Sequence, residues 1–183
     1  MEWFLDMTIS LTIDTATSRT IVGLIDGEQI LFEASHEGAT DHGRAVSELV
    51  ARALVGNPLP DQVVVGMGPG PYTGLRVGIA FAQTFALARS IPYFGICTLD
   101  AIEVDQADYT VAIDARRKEI YWASYKDGQR IAAPEVSRPD EAPQHVFGLF
   151  PSPLVMVKLA ATQNYKELFY LRRPDAVPTA ERA

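Results

Sequence analysis

One strand–turn–strand pattern occurs twice in this chain, about 100 residues apart. In the first copy, the apolar and β-branched run Ile9–Ile13 ends at an aspartate, Thr20–Ile25 forms a second run, and an Asp-Gly turn follows. The second copy repeats this order with Val111–Ile113, an aspartate, Ile120–Tyr125 and another Asp-Gly turn. Short matches also arise by chance, but the ordered triple match favours duplication into two related lobes.

The segments between the two copies predict a mixed α/β layer structure. A third strand is expected at Gln29–Ser35, and the helical spacing of apolar residues predicts a helix over Asp41–Leu54. The valine-rich run Gln62–Gly66 has the pattern of a buried, parallel strand. A second helix over Gly74–Arg89 and a short strand at Tyr93–Ile96 complete this half.

The second half of the chain has less regular structure. The repeated pattern does not continue after the second Asp-Gly turn. Prolines recur through residues 132–153 and predict mostly loop there. A short strand at Val146–Phe150 and a helix within Leu154–Leu171 are expected. We therefore predict a first lobe at residues 1–100 and a second, reduced lobe with the C-terminal tail at residues 101–183.

Composition excludes several functional classes. Apolar residues make up 48% of the chain and charged residues 21%, as in globular proteins, which excludes wholesale disorder. The formal charge of −7 argues against stand-alone binding of nucleic acid. The single cysteine, Cys97, excludes an internal disulfide and a cysteine-cluster metal site. No apolar run is long enough to span a bilayer, and Met1–Met7 lacks the basic residues of a signal peptide. We therefore expect a cytoplasmic protein with no membrane partner. The tail from Arg172 is expected to be loose.

The most distinctive segment is Gly68–Gly74, with the sequence Gly-Pro-Gly-Pro-Tyr-Thr-Gly. A glycine-rich turn before a helix presents backbone N–H groups to anions, and in this motif loop the residues would be Gly68, Pro69, Gly70, Thr73 and Gly74. The segment lacks the lysine of a phosphate-binding P-loop, and its two prolines remove N–H donors. A tight strand-to-helix connection with Thr73 as N-cap is the favoured interpretation.

The helix that follows carries small residues at four-residue spacing: Gly74, Gly78, Ala82 and Ala86. Such a ridge allows another helix to approach closely. A glycine inside a helix costs roughly 0.5–1 kcal/mol relative to alanine, so a close neighbour is expected at Gly78. The neighbour is either this chain's own first helix or sheet, or a helix of another protein.

Polar residues at the two matching turns offer a second candidate site. Asp14 and Asp114 each follow an apolar strand, and paired carboxylates can bind a metal ion or orient a water. Aspartate is also simply a favoured turn residue, and nothing else in the sequence closes a metal site. The densest basic run, Arg116–Lys118, is too short to bind nucleic acid alone and is expected to be a solvated turn.

Six ordered segments resemble those of one known family. They are Ile13–Thr17, Gly68–Gly78, Thr98–Ile102, Ile113–Arg116, Glu119–Ala123 and Tyr170–Arg172. In this order and spacing they resemble the TsaB (YeaZ) family, which belongs to the bacterial machinery that makes threonylcarbamoyladenosine beside the anticodon of tRNA. The resemblance extends over nearly the whole chain.

This resemblance implies an actin/Hsp70/sugar-kinase-like α/β fold of two duplicated RNase H-like lobes, the second of them shortened here. It implies a non-catalytic scaffold that binds and supports the catalytic subunit TsaD and helps to recruit the ATPase TsaE. No cofactor is expected in this chain, since ATP and metal would belong to the partner subunits, and tRNA would be bound mainly through the complex. Pairing in the family is mediated by first-lobe helices, which places the expected partner interface on Val46, Leu49, Ala53, Gly74, Leu75, Gly78, Ala82 and Ala86.

Two departures from the family pattern leave other functions open. The chain is shorter than typical members, and Pro71-Tyr72 stands where Ser-Phe is usual, which stiffens the loop. One alternative is a small ATP-dependent phosphotransferase of the same superfamily, with Asp14 and Asp114 holding magnesium and Gly68–Gly74 touching phosphate. A homodimer that uses the same helix surface against itself is another.

Overall fold

A computed structural model describes residues 8–38 and 40–171 of the chain. The expectations for Met1–Met7 and for the tail from Arg172 lie outside these residues. The described strands form two sheets, each with its own core, and the helices pack mainly on the first. No helix within the described ranges is long and apolar enough to cross a membrane.

The first sheet combines an antiparallel meander with two parallel strands. Its members are β1 (Ile9–Asp14), β2 (Arg19–Asp26), β3 (Gln29–Glu37), β4 (Gln62–Gly66) and β5 (Tyr93–Ile96). Their spatial order is β3-β2-β1-β4-β5, with β4 and β5 parallel to β1. The strands predicted from the sequence in this lobe are confirmed. Tight turns join the antiparallel neighbours, and helical crossovers join the parallel strands.

Two helices, α1 (His42–Ala53) and α2 (Tyr72–Arg89), make these crossovers and cover one face of the sheet. Because α1 leads from β3 to β4 and α2 leads from β4 to β5, and these strands point the same way, the two helices run parallel. The expected N-cap is wrong: Pro71 precedes the first helical residue, and Thr73 lies inside the first turn. Proline suits this position because its fixed φ leads into a helix and its missing N–H is not needed there.

The second sheet is smaller. It contains β6 (Tyr109–Asp114), β7 (Ile120–Lys126), β8 (Gln129–Arg130), β9 (Glu135–Ser137) and β10 (Val146–Phe147). The order is β10-β6-β7-β8, and β9 also pairs with β7. None of the described residues between β6 and β10 is helical, so this lobe lacks the helical cover that the first lobe has.

Strand pairing explains the strand–turn–strand pattern that occurs twice in the sequence. Asp14 at the end of β1 lies opposite Ile21 of β2, and Asp114 at the end of β6 lies opposite Ile120 of β7, in both cases in an antiparallel pair. The two lobes therefore begin with the same hairpin, and the second continues with much shorter strands.

The chain returns to the first lobe after the second sheet. Helix α3 (Pro153–Ala160) packs on the face of the first sheet opposite α1 and α2, where Met156 is buried with Val64 and Ile96. The segment after α3 then follows β5, and the backbone N–H of Tyr165 donates to the Gly95 carbonyl at 2.8 Å. The expected helix is thus confirmed over a shorter range, while the domain boundary at residue 100 stays a prediction.

A buried polar cluster fastens the second sheet to the first lobe. One carboxylate oxygen of Asp100 accepts hydrogen bonds from the Tyr125 hydroxyl at 2.7 Å and the Arg130 Nε at 2.8 Å. The other oxygen accepts from Gln163 Nε2 at 2.7 Å. The Asp100 side chain is 8% exposed, so these charge-assisted bonds are shielded from water. The cluster connects β7 and β8 with the segment that returns along β5.

Candidate functional site

Three connections meet beside the starts of α1 and α2. The loop after β1 contacts α2, since the Thr15 hydroxyl donates to the Gly74 carbonyl at 2.7 Å. The His42 ring at the start of α1 lies against the same glycine, because a Cβ built on Gly74 would be 3.2 Å from its Nε2. This edge, where β1 and β4 end, is the candidate site.

Asp14 is buried at the centre of this edge. One carboxylate oxygen accepts a hydrogen bond from the backbone N–H of Ala16 at 2.9 Å, and the other accepts from the Thr98 hydroxyl at 2.7 Å. Gly66 is required beside it, because a Cβ at that position would lie 1.9 Å from the carboxylate. Burial raises the pKa of Asp14 to about 6, against the lowering effect of the two hydrogen bonds.

Asp114 occupies the matching turn but a different environment. Its carboxylate accepts from the backbone N–H of Arg116 at 2.9 Å and lies 3.6 Å from the guanidinium of the same residue, and its side chain is 50% exposed. No group of three or more His, Cys, Asp or Glu residues is placed to hold a metal ion in residues 8–38 and 40–171. A role for Asp14 and Asp114 in binding a nucleotide or a metal therefore stays a prediction.

The motif loop is held by the protein itself. Gly68 has φ of +95° and is followed by a cis peptide bond to Pro69, and its carbonyl accepts from the Thr98 N–H at 2.8 Å. A Cβ on Gly70 would lie 2.5 Å from the Ala16 carbonyl oxygen, so this glycine permits the loop to pack on the turn after β1. These contacts agree with a strand-to-helix connection, the interpretation that the sequence favoured.

The small-residue ridge of α2 packs on Thr15. The Thr15 hydroxyl donates to the Gly74 carbonyl and accepts from the Gly78 N–H at 3.1 Å, so it lies between two groups of successive helical turns. A Cβ on Gly78 would be 2.3 Å from that hydroxyl oxygen. The close neighbour expected from the sequence is therefore this chain's own β1 loop.

The prediction of the partner-interface residues needs correction, because these residues are buried in the chain's own core. All eight are buried within the first lobe, where they pack on the sheet and on each other: Val46, Leu49, Ala53, Gly74, Leu75, Gly78, Ala82 and Ala86. Periodicity identified the inward faces of the two helices, because apolar and small residues mark a core as readily as an interface. Any surface that α1 and α2 offer to another protein must consist of other residues.

The outward faces of these helices carry small residues of their own. They are again at four-residue spacing and exposed: Gly43, Ser47 and Ala51 on α1, and Ala80, Thr84 and Ala88 on α2. Beside them, Leu87 is 81% exposed and Val55 is 78% exposed. We call these eight residues the outer helix surface. These outward residues could have been found in the sequence. Shifting the four-residue period of the inward ridge by two residues along α2 gives Ala80, Thr84 and Ala88.

The β6–β7 turn has an unusual backbone. Arg116, Arg117 and Lys118 have φ of +63°, +56° and +63°, so three successive bulky residues are left-handed. Each such residue costs roughly 1–2 kcal/mol relative to the right-handed conformation. Burial, and next the positive charge of Arg116, lower the pKa of His42, whose Nδ1 lies 2.8 Å from the Thr20 hydroxyl. Sequence reasoning found the charges of this turn but had no signal for its conformation.

Aromatic residues attach the last described segment to α2. The rings of Tyr72 and Tyr170 stack with centroids 5.2 Å apart, and the Arg76 guanidinium lies 4.4 Å from the Tyr72 centroid. The sequence analysis identified Tyr72 only as standing where phenylalanine is usual. Its partner lies almost 100 residues away, which local patterns do not reveal.

The chain is similar to several known proteins. The family model "TsaD: tRNA N6-adenosine threonylcarbamoyltransferase" matches residues 33–174. An uncharacterized protein of Mycobacterium leprae is 40% identical over 94% of this chain, and the TsaB protein of Escherichia coli is 34% identical over 63% of it. The chain spans 57% and 54% of the lengths of these two relatives. The solved structure of an uncharacterized protein from Pseudomonas aeruginosa, described as similar to peptidase YeaZ, has a TM-score of 0.77 at 22% identity, covering 91% of this chain and all of that one.

Fold and site together define an α/β protein with the actin/Hsp70/sugar-kinase-like fold, in which two sheets begin with the same hairpin and the second has shorter strands. The fold class expected from the sequence is confirmed. The family match extends over most of the described chain, from β3 to the segment beyond α3. The chain belongs to the TsaB (YeaZ) family, as its motifs indicated.

Proposed function

We propose that this chain is a non-catalytic scaffold subunit of the cytoplasmic complex that installs threonylcarbamoyl on the adenosine beside the anticodon of tRNA. It binds and supports a TsaD-like catalytic subunit. Family membership supports the pathway, because the Escherichia coli relative is named as a tRNA threonylcarbamoyladenosine biosynthesis protein. The outer helix surface is the observation that carries the scaffold role.

This surface has the composition of a helix-packing face. Its small residues are exposed on α1 and α2, two helices that contact each other, and small residues let a partner's helices approach closely. Leu87 and Val55 lie at the C-terminal ends of the two parallel helices, so the exposed apolar groups cluster at one end. Burying a leucine of this exposure stabilises a complex by about 2 kcal/mol.

A TsaD-like subunit is the partner that fits this surface. The TsaD family model matches a range of this chain that includes both helices, which supports a TsaD-like partner with a similar helix pair. Two such pairs can pack face to face around an approximate twofold axis. A homodimer would use the same surface on both sides and would compete with the catalytic partner.

The candidate site supports a structural role for this chain. Both carboxylate oxygens of Asp14 accept hydrogen bonds from its own fold, and the motif loop packs on the same turn. ATP, metal and the chemistry of transfer are assigned to the TsaD-like subunit and to a TsaE-like ATPase that joins the complex. Binding of tRNA takes place mainly through the assembled complex.

Co-purification with the TsaD-like homologue tests this proposal, using Leu87→Asp as the disrupting variant. We expect a stable complex with the wild type and at least a tenfold weaker one with Leu87→Asp, because the charge would be buried at the contact. Ile131→Asp is the matched control, since Ile131 is also a largely exposed aliphatic residue (64%) but lies in the second lobe. That variant should bind the homologue as the wild type does.

Two results would contradict the scaffold role. One is the absence of any complex together with intact tRNA modification in a strain that lacks this chain. The other is equal loss of binding in Leu87→Asp and Ile131→Asp. Light scattering of the chain alone and with its partner identifies a homodimer that exchanges with the heterodimer.

A further inference from the structure

A groove of about 720 Å³ lies over β2 and β3 of the first sheet. It is on the face opposite α1 and α2, because Ser152 and Leu154 at the start of α3 line it. Helix α3 packs on β1, β2, β4 and β5 of this face. Beyond the helix, Ile30, Glu33 and Ser35 of β3 line the groove, and all three are exposed. Within residues 8–38 and 40–171, β3 pairs only with β2, so this corner of the sheet is left uncovered.

The groove has an apolar lining. Ile21 and Ile30 come from the two strands, and Phe150 and Leu154 come from the segment that leads into α3. The Ile30 side chain is 46% exposed, although it lies in the longest strand of the described chain. A ligand with aliphatic groups would remove this apolar surface from water, which favours binding.

The charged residues of the groove leave two carboxylates uncompensated. They are Arg19, Glu33 and Glu103. Arg19 is already engaged, since its Nε donates to the Glu37 carboxylate at 2.8 Å and its guanidinium lies 3.9 Å from the centroid of the Phe150 ring. Neither Glu33 nor Glu103 forms an ion pair with a cation of the described residues. The groove therefore combines an apolar lining with a net negative charge.

We propose that this groove binds an extended, arginine-containing segment of a partner protein. A guanidinium pairs with a carboxylate through two parallel N–H bonds, so Glu33 and Glu103 favour arginine over other residues. The aliphatic stem of an arginine can lie on Ile30 and Leu154 while its head stays at a carboxylate. An extended segment presents every second side chain to one face, so successive arginines can face the groove. The same carboxylates repel phosphate, which argues against a nucleotide.

This contact is separate from the outer helix surface. The two surfaces lie on opposite faces of the first sheet, because α1 and α2 cover one face and α3 packs on the other. A segment in the groove and a partner on the helices can therefore bind at the same time. Binding in the groove does not depend on the proposed function.

A peptide of about ten residues that alternates arginine with threonine is the probe, with blocked ends and a fluorophore. Its affinity for the full chain is measured by fluorescence anisotropy at physiological ionic strength. We expect Glu33→Gln/Glu103→Gln to bind it about tenfold more weakly, because two charge-assisted contacts are lost. Ile30→Ser should weaken binding about threefold through lost apolar contact. Glu135→Gln/Glu167→Gln is the matched control, since it removes two other exposed carboxylates and should change the affinity less than about twofold.

The same peptide with citrulline in place of arginine has nearly the same shape without the charge, and it should bind at least about tenfold more weakly. Equal binding of the two peptides would overturn the proposal, as would no binding at all or equal losses in the two double variants. Free arginine that binds as tightly as the peptide would overturn it in favour of a small cation. Self-association that light scattering detects in the wild type and not in Glu33→Gln/Glu103→Gln would assign the groove to a second copy of the chain instead.

The Leu87→Asp variant separates this contact from the scaffold role. It should bind the peptide as the wild type does, because Leu87 lies on the opposite face. Failure of the chain to bind a TsaD-like subunit would overturn the proposed function and leave the peptide result standing. Equal loss of peptide binding in Leu87→Asp and Glu33→Gln/Glu103→Gln would show that the peptide does not lie in the groove.

Discussion

The turns after β1 and β6 share one local structure in opposite surroundings. In each, the aspartate accepts a hydrogen bond from the backbone N–H two residues on, at 2.9 Å in both lobes. Asp14 is buried beside Thr98 and Gly66, whereas Asp114 is half exposed and paired with an arginine. The local motif fixes the turn, and the elements packed around it fix the chemistry of the carboxylate.

The largest expected effect concerns the packing that buries the first turn. Gly78→Leu should destabilise the chain by about 4 kcal/mol or more, because a side chain there would collide with Thr15. Urea unfolding followed by circular dichroism measures this loss. Ala80→Leu is the control, since Ala80 is exposed on the same helix and should change stability little. A folded Gly78→Leu monomer that has lost only partner binding would show that the ridge faces outward.

Removing each aspartate tests the comparison directly. Asp14→Ala should cost about 3 kcal/mol, because it leaves the Ala16 N–H and the Thr98 hydroxyl without a buried partner. Asp114→Ala should cost about 1 kcal/mol or less, since water can replace the exposed carboxylate. Chemical denaturation of both variants gives the two values. Equal losses would mean that the local turn alone determines stability.

The dependence of stability on pH distinguishes the buried carboxylate. The pKa of Asp14 is raised from 3.8 to about 6 by burial, so the folded state holds this proton more tightly than the unfolded state. This contribution is complete below pH 3.8 and is lost as the pH rises to about 6. Relative to Asp14→Asn, the wild type should therefore lose about 2–3 kcal/mol of unfolding free energy across that range. Parallel stability curves for the two proteins would contradict the raised pKa.

The smallest effect concerns the last described segment before residue 172, where Tyr170 packs on the first lobe. Tyr170→Ala should cost about 1 kcal/mol, because it removes a ring stacked on Tyr72. Hydrogen exchange should increase near the start of α2 and remain unchanged in β6 and β7. Faster exchange in the second sheet would instead show that this stack holds the two lobes together.

Local patterns predicted the strands of the first lobe, the three helices and the family, because periodicity and turn residues act over short distances. They did not predict β8 and β9. The roles of Thr15 and Asp100 were not predictable, since their partners lie 59 to 63 residues away in the bonds to Gly74, Gly78 and Gln163. The interface residues were assigned to the inward faces of α1 and α2 because a core and a helix contact have the same spacing. Only the packing of the whole lobe shows whether such a helix face is part of the core or of an interface.

The return of α3 to the first sheet has a consequence for synthesis of the chain. The first lobe leaves the ribosome before the second, yet the cover over Val64 and Ile96 is supplied by Met156 near the other end of the chain. Until α3 has emerged, that face of the sheet exposes apolar surface of the kind that promotes aggregation. The part of the protein that is made first is therefore among the last to be completed.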